Sequence, residues 1–217
     1  MSTKAEEIHH AVRPGPLGAW TKRAVDIVAS SLLLLVFAPV IAIIALLLKV
    51  MQRGPVLFAW NIVGAGGRPL RSYKFRTMIE AAEALEPALR SQGQNEMKSV
   101  YFKARNDPRV TPIGRFLRRC TLDELPSLWS VLRGDMSLVG PRPVRLTEVR
   151  YLEDWHRERF AVRPGLTSPW VVRGKEKMSD FDEIAALDIE YIRHWSIWRD
   201  LRILGRTVGY VLSARNY

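Results

Sequence analysis

From Leu32 to Leu48 the chain is apolar for 17 consecutive residues, with Pro39 near the middle. As straight helix this run reaches about 26 Å, short of the roughly 30 Å hydrocarbon core of a bilayer. A proline inside a helix has no N–H to donate and its ring clashes with the preceding turn, so a kink or break is expected at Ala38 and Pro39. The flanks add a second constraint. Lys22 and Arg23 precede the run, Lys49, Arg53, Arg68 and Arg71 follow it, and basic flanks favour the cytoplasmic side of a membrane. A single kinked transmembrane helix is one reading of the segment, at the cost of placing one of these flanks on the disfavoured side. A helix that enters one leaflet, bends at the proline and leaves by the same face satisfies both. Asp26, one turn after Lys22 and Arg23, is placed to pair with either at the interface. The run is too long and begins too deep in the chain to be a cleaved secretory signal.

The formal net charge is +11 over 217 residues, which points to a polyanionic partner: nucleic acid, anionic lipid or a phosphorylated substrate. One cysteine, Cys120, excludes an internal disulfide and a Cys-cluster metal site, and His9, His10, His156 and His194 lack metal-ligand spacing. Three stretches are expected: a loose leader over 1–20, the membrane helix over 21–52, and a catalytic domain over 53–217. In the domain, Val56–Ile62 and Leu70–Phe75 flank a glycine-rich turn and predict a hairpin. Met78–Leu89, Phe181–His194 and Ile197–Leu212 carry helical periodicity, and Val162–Lys175 reads as loop. Trp155, Trp170, Trp195 and Trp198 suit either a core or a bilayer interface. The fold class is therefore α+β and mostly helical, with a re-entrant membrane helix ahead of a small domain carrying a β-hairpin and interfacial amphipathic helices.

The chemistry-bearing stretch starts at Thr111-Pro112, a helix start followed by Arg115, Arg118 and Arg119 on one face. Thr121 and Glu124 then form a capping-box pattern, and Asp123 with Pro126 forms an alternative helix start. In either frame Asp123 and Glu124 sit at a helix N-terminus beside arginines, which favours their ionised forms. Paired carboxylates there suit a metal ligand or an anionic nucleophile in phosphoryl transfer as well as they suit capping. A DNA-binding helix-turn-helix is the rival on a basic chain, but its second helix would present Leu125, Leu128, Trp129, Val131 and Leu132, which want burial rather than base edges. A nucleic-acid partner is therefore not expected.

Six stretches together carry a resemblance: KRAVDIVAS (Lys22–Ser30) with the apolar run; YKFRTM (Tyr73–Met78); NDPRVTPIGRFLRR (Asn106–Arg119); TLDELPSLWSVLRGDMSLVGPRPV (Thr121–Val144); VRPGLT (Val162–Thr167); and the spaced Asp188, Tyr191, Ser196 and Asp200. In this order, over residues 20–212, they resemble the small monotopic polyprenyl-phosphate phosphoglycosyl transferases, the bacterial initiating sugar transferases. The resemblance implies a re-entrant helix broken at Ala38 and Pro39, and a location on the cytoplasmic face of the bacterial inner membrane. It implies Asp123 as nucleophile and Mg2+ ligand, with Glu124 assisting. Arg142 is the implied phosphate contact, with Lys74, Arg76 and Arg119 as further ones. The implied reaction moves a sugar 1-phosphate from a UDP-sugar to undecaprenyl phosphate and releases UMP, through a phosphosugar on the aspartate. It would open the assembly of a surface glycan on an anionic phospholipid membrane. Where the family usually has a Gln and an Arg after the first strand phenylalanine, this chain has Trp60 and Ile62. Where a Gly, a Trp and a Gln usually follow the RPG motif, it has Ser168, Pro169 and Val171. These departures fall on contacts that select substrate, and the motifs fix neither the sugar nor the oligomeric state.

Overall fold

The computed structural model describes residues 16–97, 100–104, 106–174 and 178–212. Most of the expected leader lies outside them, but 16–20 form the first turns of helix α1, Pro16–Met51. Helical structure continues through Ala38 and Pro39, where the sequence leads one to expect a break. The lost donor and the ring clash at Pro39 are accommodated within continuous helix, whose two halves are each held by packing. One stripe of α1 faces the domain: Asp26, Ser30, Ile44 and Leu48 are buried, with Leu33, Leu34, Val40 and Ile41 half-covered between them. The opposite stripe, including Val28, Leu32, Val36, Ile43, Leu47 and Val50, is apolar and exposed. A helix apolar on both faces, with one face unpacked by protein, belongs against lipid.

The two halves of α1 dock differently onto the same domain. In the first half, Lys22 donates to Asp200 at 2.6 Å and to the Val139 carbonyl at 2.9 Å. Arg23 donates to the carbonyls of Val131 and Leu132, at the end of a helix whose last acceptors need donors. Asp26 pairs with neither base by hydrogen bond. It is buried and accepts from Ser137 Oγ and the Leu138 N–H, because the β-strand edge offers donors at that depth. The second half packs Ile44 and Leu48 against Phe75 and Leu117, and Gln52 closes it by donating to Thr111 at 2.9 Å.

Strands β1 (Leu57–Val63) and β2 (Pro69–Phe75) form the expected hairpin, in register from Leu57 opposite Phe75 to Val63 opposite Pro69. Helix α2 spans Ala82–Ser91, starting later than expected because Met78 is drawn into a bridge with Val110. Helix α3, Pro112–Arg119, begins as expected, with Thr111 accepting from the Gly114 N–H. A 3-10 turn over Leu122–Glu124 leads to α4, Ser127–Arg133, and β3, Ser137–Val139. Two further 3-10 turns, Leu146–Tyr151 and Asp154–Ala161, precede β4, Gly165–Thr167, and α5, Pro169–Gly174. The stretch expected as loop is therefore a strand and a helix. Its strand pairs parallel with β3, so closely that a Cβ on Gly165 would fall 2.1 Å from the Gly140 nitrogen. Helices α6, Phe181–Arg193, and α7, Ile197–Leu212, complete the fold. The central core joins Ile62, Leu128, Val131, Leu138, Tyr191 and Ile203.

Candidate active site

Asp123 and Glu124 stand on the 3-10 turn between α3 and α4 and are not the capping residues of a helix. Thr121 is left-handed, at φ 57°, and makes no capping hydrogen bond to the turn. A β-branched residue in that conformation costs about 1–3 kcal/mol and persists where the surroundings enforce it. The surroundings here are two apolar anchors, Leu122 and Leu125, which pack into the cluster of Ile44, Leu48, Phe75 and Leu117. Ser127 adds a hydrogen bond to the Tyr73 carbonyl at 2.8 Å, fixing the start of α4 on β2. The two acids, each half-exposed, are thus presented beside the second half of the lipid-facing helix.

Lys74 of β2 reaches Glu124 Oε1 at 2.5 Å, and its ammonium lies 4.0 Å from the Trp60 ring centroid. Trp60 therefore touches the site through Lys74, whereas Ile62 is wholly buried in the core. Arg76 is mostly buried, donates to the Arg53 carbonyl and lies against Gly54, so it ties the end of α1 to the hairpin. Arg119 is exposed at the end of α3, and its neighbour Arg118 donates to Thr77 at 2.9 Å.

Arg142 occupies a second wall. Its N–H donates to Asp188 Oδ2 at 3.1 Å, and its carbonyl accepts from Arg159 at 2.9 Å. Its guanidinium lies 4.7 Å from the Tyr101 ring and 4.2 Å from the Trp170 ring. Burial pushes the Asp188 carboxyl above its ordinary range against the pull of Arg159 and Arg142. Burial likewise pushes the Tyr101 hydroxyl up. Lys74 and Glu124 are thus brought together as a pair, and Arg142 belongs to a different cluster. Sequence reasoning quoted Asp188 without a role and passed over Arg159 and Tyr101, because nothing local marks a residue that acts on a segment 17 or 46 positions away. Of the other departures, Ser168 is buried, Pro169 opens α5 and Val171 packs beside Trp170.

Among the described residues no cluster of three or more His, Cys, Asp or Glu could cage a metal. Two adjacent carboxylates suit Mg2+ nonetheless, because that ion keeps waters and is commonly held by one or two carboxylates plus substrate phosphates.

The model of the bacterial sugar transferase family matches residues 17–214. A galactosyl transferase, CpsE, of Streptococcus agalactiae is 43% identical over 159 residues, covering 73% of this chain and 35% of that protein. The exopolysaccharide production protein ExoY of Rhizobium meliloti is 38% identical over 207 residues, 94% of this chain and 90% of that one. A UDP-glucose:undecaprenyl-phosphate glucose-1-phosphate transferase of Caulobacter vibrioides is 41% identical over 202 residues, covering 90% and 71%. The chain thus spans about a third of the streptococcal relative and nearly all of ExoY. With the family match running almost end to end, the chain belongs to the bacterial sugar transferases.

Proposed function

We propose that the protein transfers a sugar 1-phosphate from a UDP-sugar to undecaprenyl phosphate and releases UMP. The observation that carries this reading is the placement of Asp123 and Glu124 on a turn whose flanking leucines pack against the lipid-facing helix. Carboxylates on a turn beside an apolar, exposed helix suit attack on a phosphate carried by a membrane lipid. A carboxylate oxygen of Asp123 attacks the phosphorus that bears the sugar. The bond to the UMP oxygen breaks, and UMP leaves with that electron pair. The acyl phosphosugar is then attacked at the same phosphorus by an oxygen of the polyprenyl phosphate. This frees the carboxylate and forms the lipid diphosphate sugar. Glu124, held by Lys74, assists the second attack, and Arg142 orients the phosphate. Lys74, Arg76 and Arg119 add positive potential around a diphosphate substrate. Mg2+, held by Asp123 beside Glu124, would neutralise phosphate charge.

Docking of both halves of α1 onto one domain supports a monotopic, re-entrant placement. Lys22 and Gln52, 30 residues apart, are hydrogen-bonded to the same folded unit, which favours keeping that unit and both flanks on one side of the membrane. Exposed Trp198, Leu201 and Val208 on α7, among Arg202 and Arg206, suit an anionic membrane surface. Homologues named for exopolysaccharide production and undecaprenyl-phosphate transfer support the pathway class.

The test is a burst. Enzyme, Mg2+ and a panel of UDP-sugars, without lipid, should release UMP toward one equivalent per active enzyme for the correct sugar, and should leave a sugar phosphate on the Asp123 peptide. No burst and no adduct, with turnover only when both substrates are present, would rule out the covalent route. For topology, Ser2→Cys and Ser91→Cys in a Cys120→Ser background should both resist an impermeant thiol reagent in intact cells. Labelling of only one would establish a span.

A further inference from the structure

Arg142 is gripped at each group it has. Asp188 holds its N–H and Arg159 holds its carbonyl, so the two peptide groups that meet at its Cα are both anchored. Its guanidinium lies between Tyr101 and Trp170. Arg159 also donates to the Tyr101 hydroxyl at 3.2 Å and pairs with Asp188, and the two side chains are 1% and 0% exposed. Such a pair is a poor source of stability, because desolvation offsets most of the attraction and apolar residues of similar volume often do as well. Its evident yield is geometric, since it fixes backbone and side chain of one residue at once.

The charges agree. Asp188 Oδ2 serves both Arg159 and the Arg142 N–H. Among the described residues no carboxylate pairs with the Arg142 guanidinium. The side chain is only half-buried, so its positive charge is available to an anion. Trp170 closes one side of the guanidinium.

We infer that Asp188 and Arg159 are positioning residues, whose buried ion pair clamps Arg142 so that its guanidinium is preset for the phosphate of the nucleotide sugar. This rests on the reading of Arg142 as a phosphate contact. It places two residues of the reaction's machinery in helix α6 and the turn before β4, far in sequence from the acid pair.

A double-mutant cycle tests it on the intact protein in detergent, with UMP release measured on the UDP-sugar chosen from the panel. Asp188→Asn keeps the shape and loses the charge. Tyr101→Phe keeps the ring and loses the hydroxyl that Arg159 bonds. Each should lower kcat/KM about tenfold or more, as misplacement of an orienting group does. Placed on Arg142→Ala, each should change the rate by less than about twofold, because the group they act through is gone. If each variant imposes its full loss on top of Arg142→Ala, the pair acts elsewhere and the clamp is overturned while the phosphate reading stands. If Arg142→Ala itself keeps wild-type kcat/KM, the phosphate reading falls and the clamp falls with it. Thermal melts report folded protein. Should Asp188→Asn fail to fold, the Tyr101→Phe cycle alone decides by the same criteria.

Discussion

The acid turn and the Arg142 cluster, the two groups proposed to meet the substrate and here termed the acid wall and the arginine wall, are built on opposite principles. The acid wall is a short 3-10 turn with a strained Thr121 ahead of it, half-exposed acids, and leucine anchors reaching down to a membrane helix. The arginine wall is buried and cross-linked, with Asp188, Arg159, Tyr101 and Trp170 all closing on one residue. A group that must form and break bonds with a bulky phosphosugar needs access, and a group that only orients a phosphate gains from rigidity. The comparison predicts that the acid wall tolerates substitution in stability and fails in chemistry, and that the arginine wall gives up both.

The largest effect should come from Asp123→Asn. Turnover should drop by about a thousandfold or more, on the scale seen when a nucleophile is removed. The melting temperature should stay within a few degrees, since the position is half-exposed and the amide is nearly isosteric. Retention of a tenth of the wild-type rate would mean that the carboxylate lowers the barrier by only about 1.4 kcal/mol, too little for a nucleophile. Arg142→Ala comes next, at about a hundredfold in kcat/KM, the usual scale for losing one oriented contact to developing charge. Here stability should fall too, because Tyr101 and Trp170 lose the group between them.

These contrasts also explain what the sequence made legible. The acid turn was visible because DELP, GDMSLVGPRP and the flanking helix signals lie within one continuous stretch. The hairpin and the last two helices announced themselves by local period, and the observed bounds differ by only a residue or so. The arginine wall was not legible beyond Arg142, since its partners come from four separate segments and meet only after folding. Two local expectations failed for one reason. The capping box at Thr121 gave way to a 3-10 turn, and the loop after Val162 became β4 and α5, because tertiary contacts to Phe75 and to β3 outweighed local preference. Asp26 likewise left its neighbours Lys22 and Arg23 for strand donors at Ser137 and Leu138.

A third cluster, outside both walls, can be probed in stability alone through Glu86. This half-buried carboxylate accepts from Arg145, three residues beyond Arg142, at 2.9 Å and from Arg90 at 3.0 Å. Burial works to raise it, and the two arginines outweigh that and hold it below its ordinary 4.5. A depressed folded value means the contribution is complete above pH 4.5 and is lost as the pH falls through the folded value. Glu86→Gln should therefore lower stability at pH 7 by about 2 kcal/mol, on the scale of hydrogen bonds to charged groups. The gap to wild type should close as the pH falls from 4.5 through the depressed folded value. A gap that persists unchanged in acid would show that the loss was one of packing.

The smallest effect separates Lys74 from the tryptophan that covers it. Lys74 holds Glu124 at 2.5 Å and contributes positive charge beside the acid turn, so Lys74→Met should lower kcat/KM about tenfold, near the lower end for an electrostatic partner at a site. Trp60 packs on the central core and meets the acid turn through Lys74, with its ring 4.0 Å from the ammonium, and such contacts are worth about 0.5–1 kcal/mol when partly solvated. Trp60→Gln should then cost no more than about fivefold, and in the Lys74→Met background nothing measurable. A loss from Trp60→Gln that equals or exceeds that of Lys74→Met would mean the indole meets substrate directly. In that case the acid wall would be selecting the nucleotide sugar through this ring as well as carrying the chemistry.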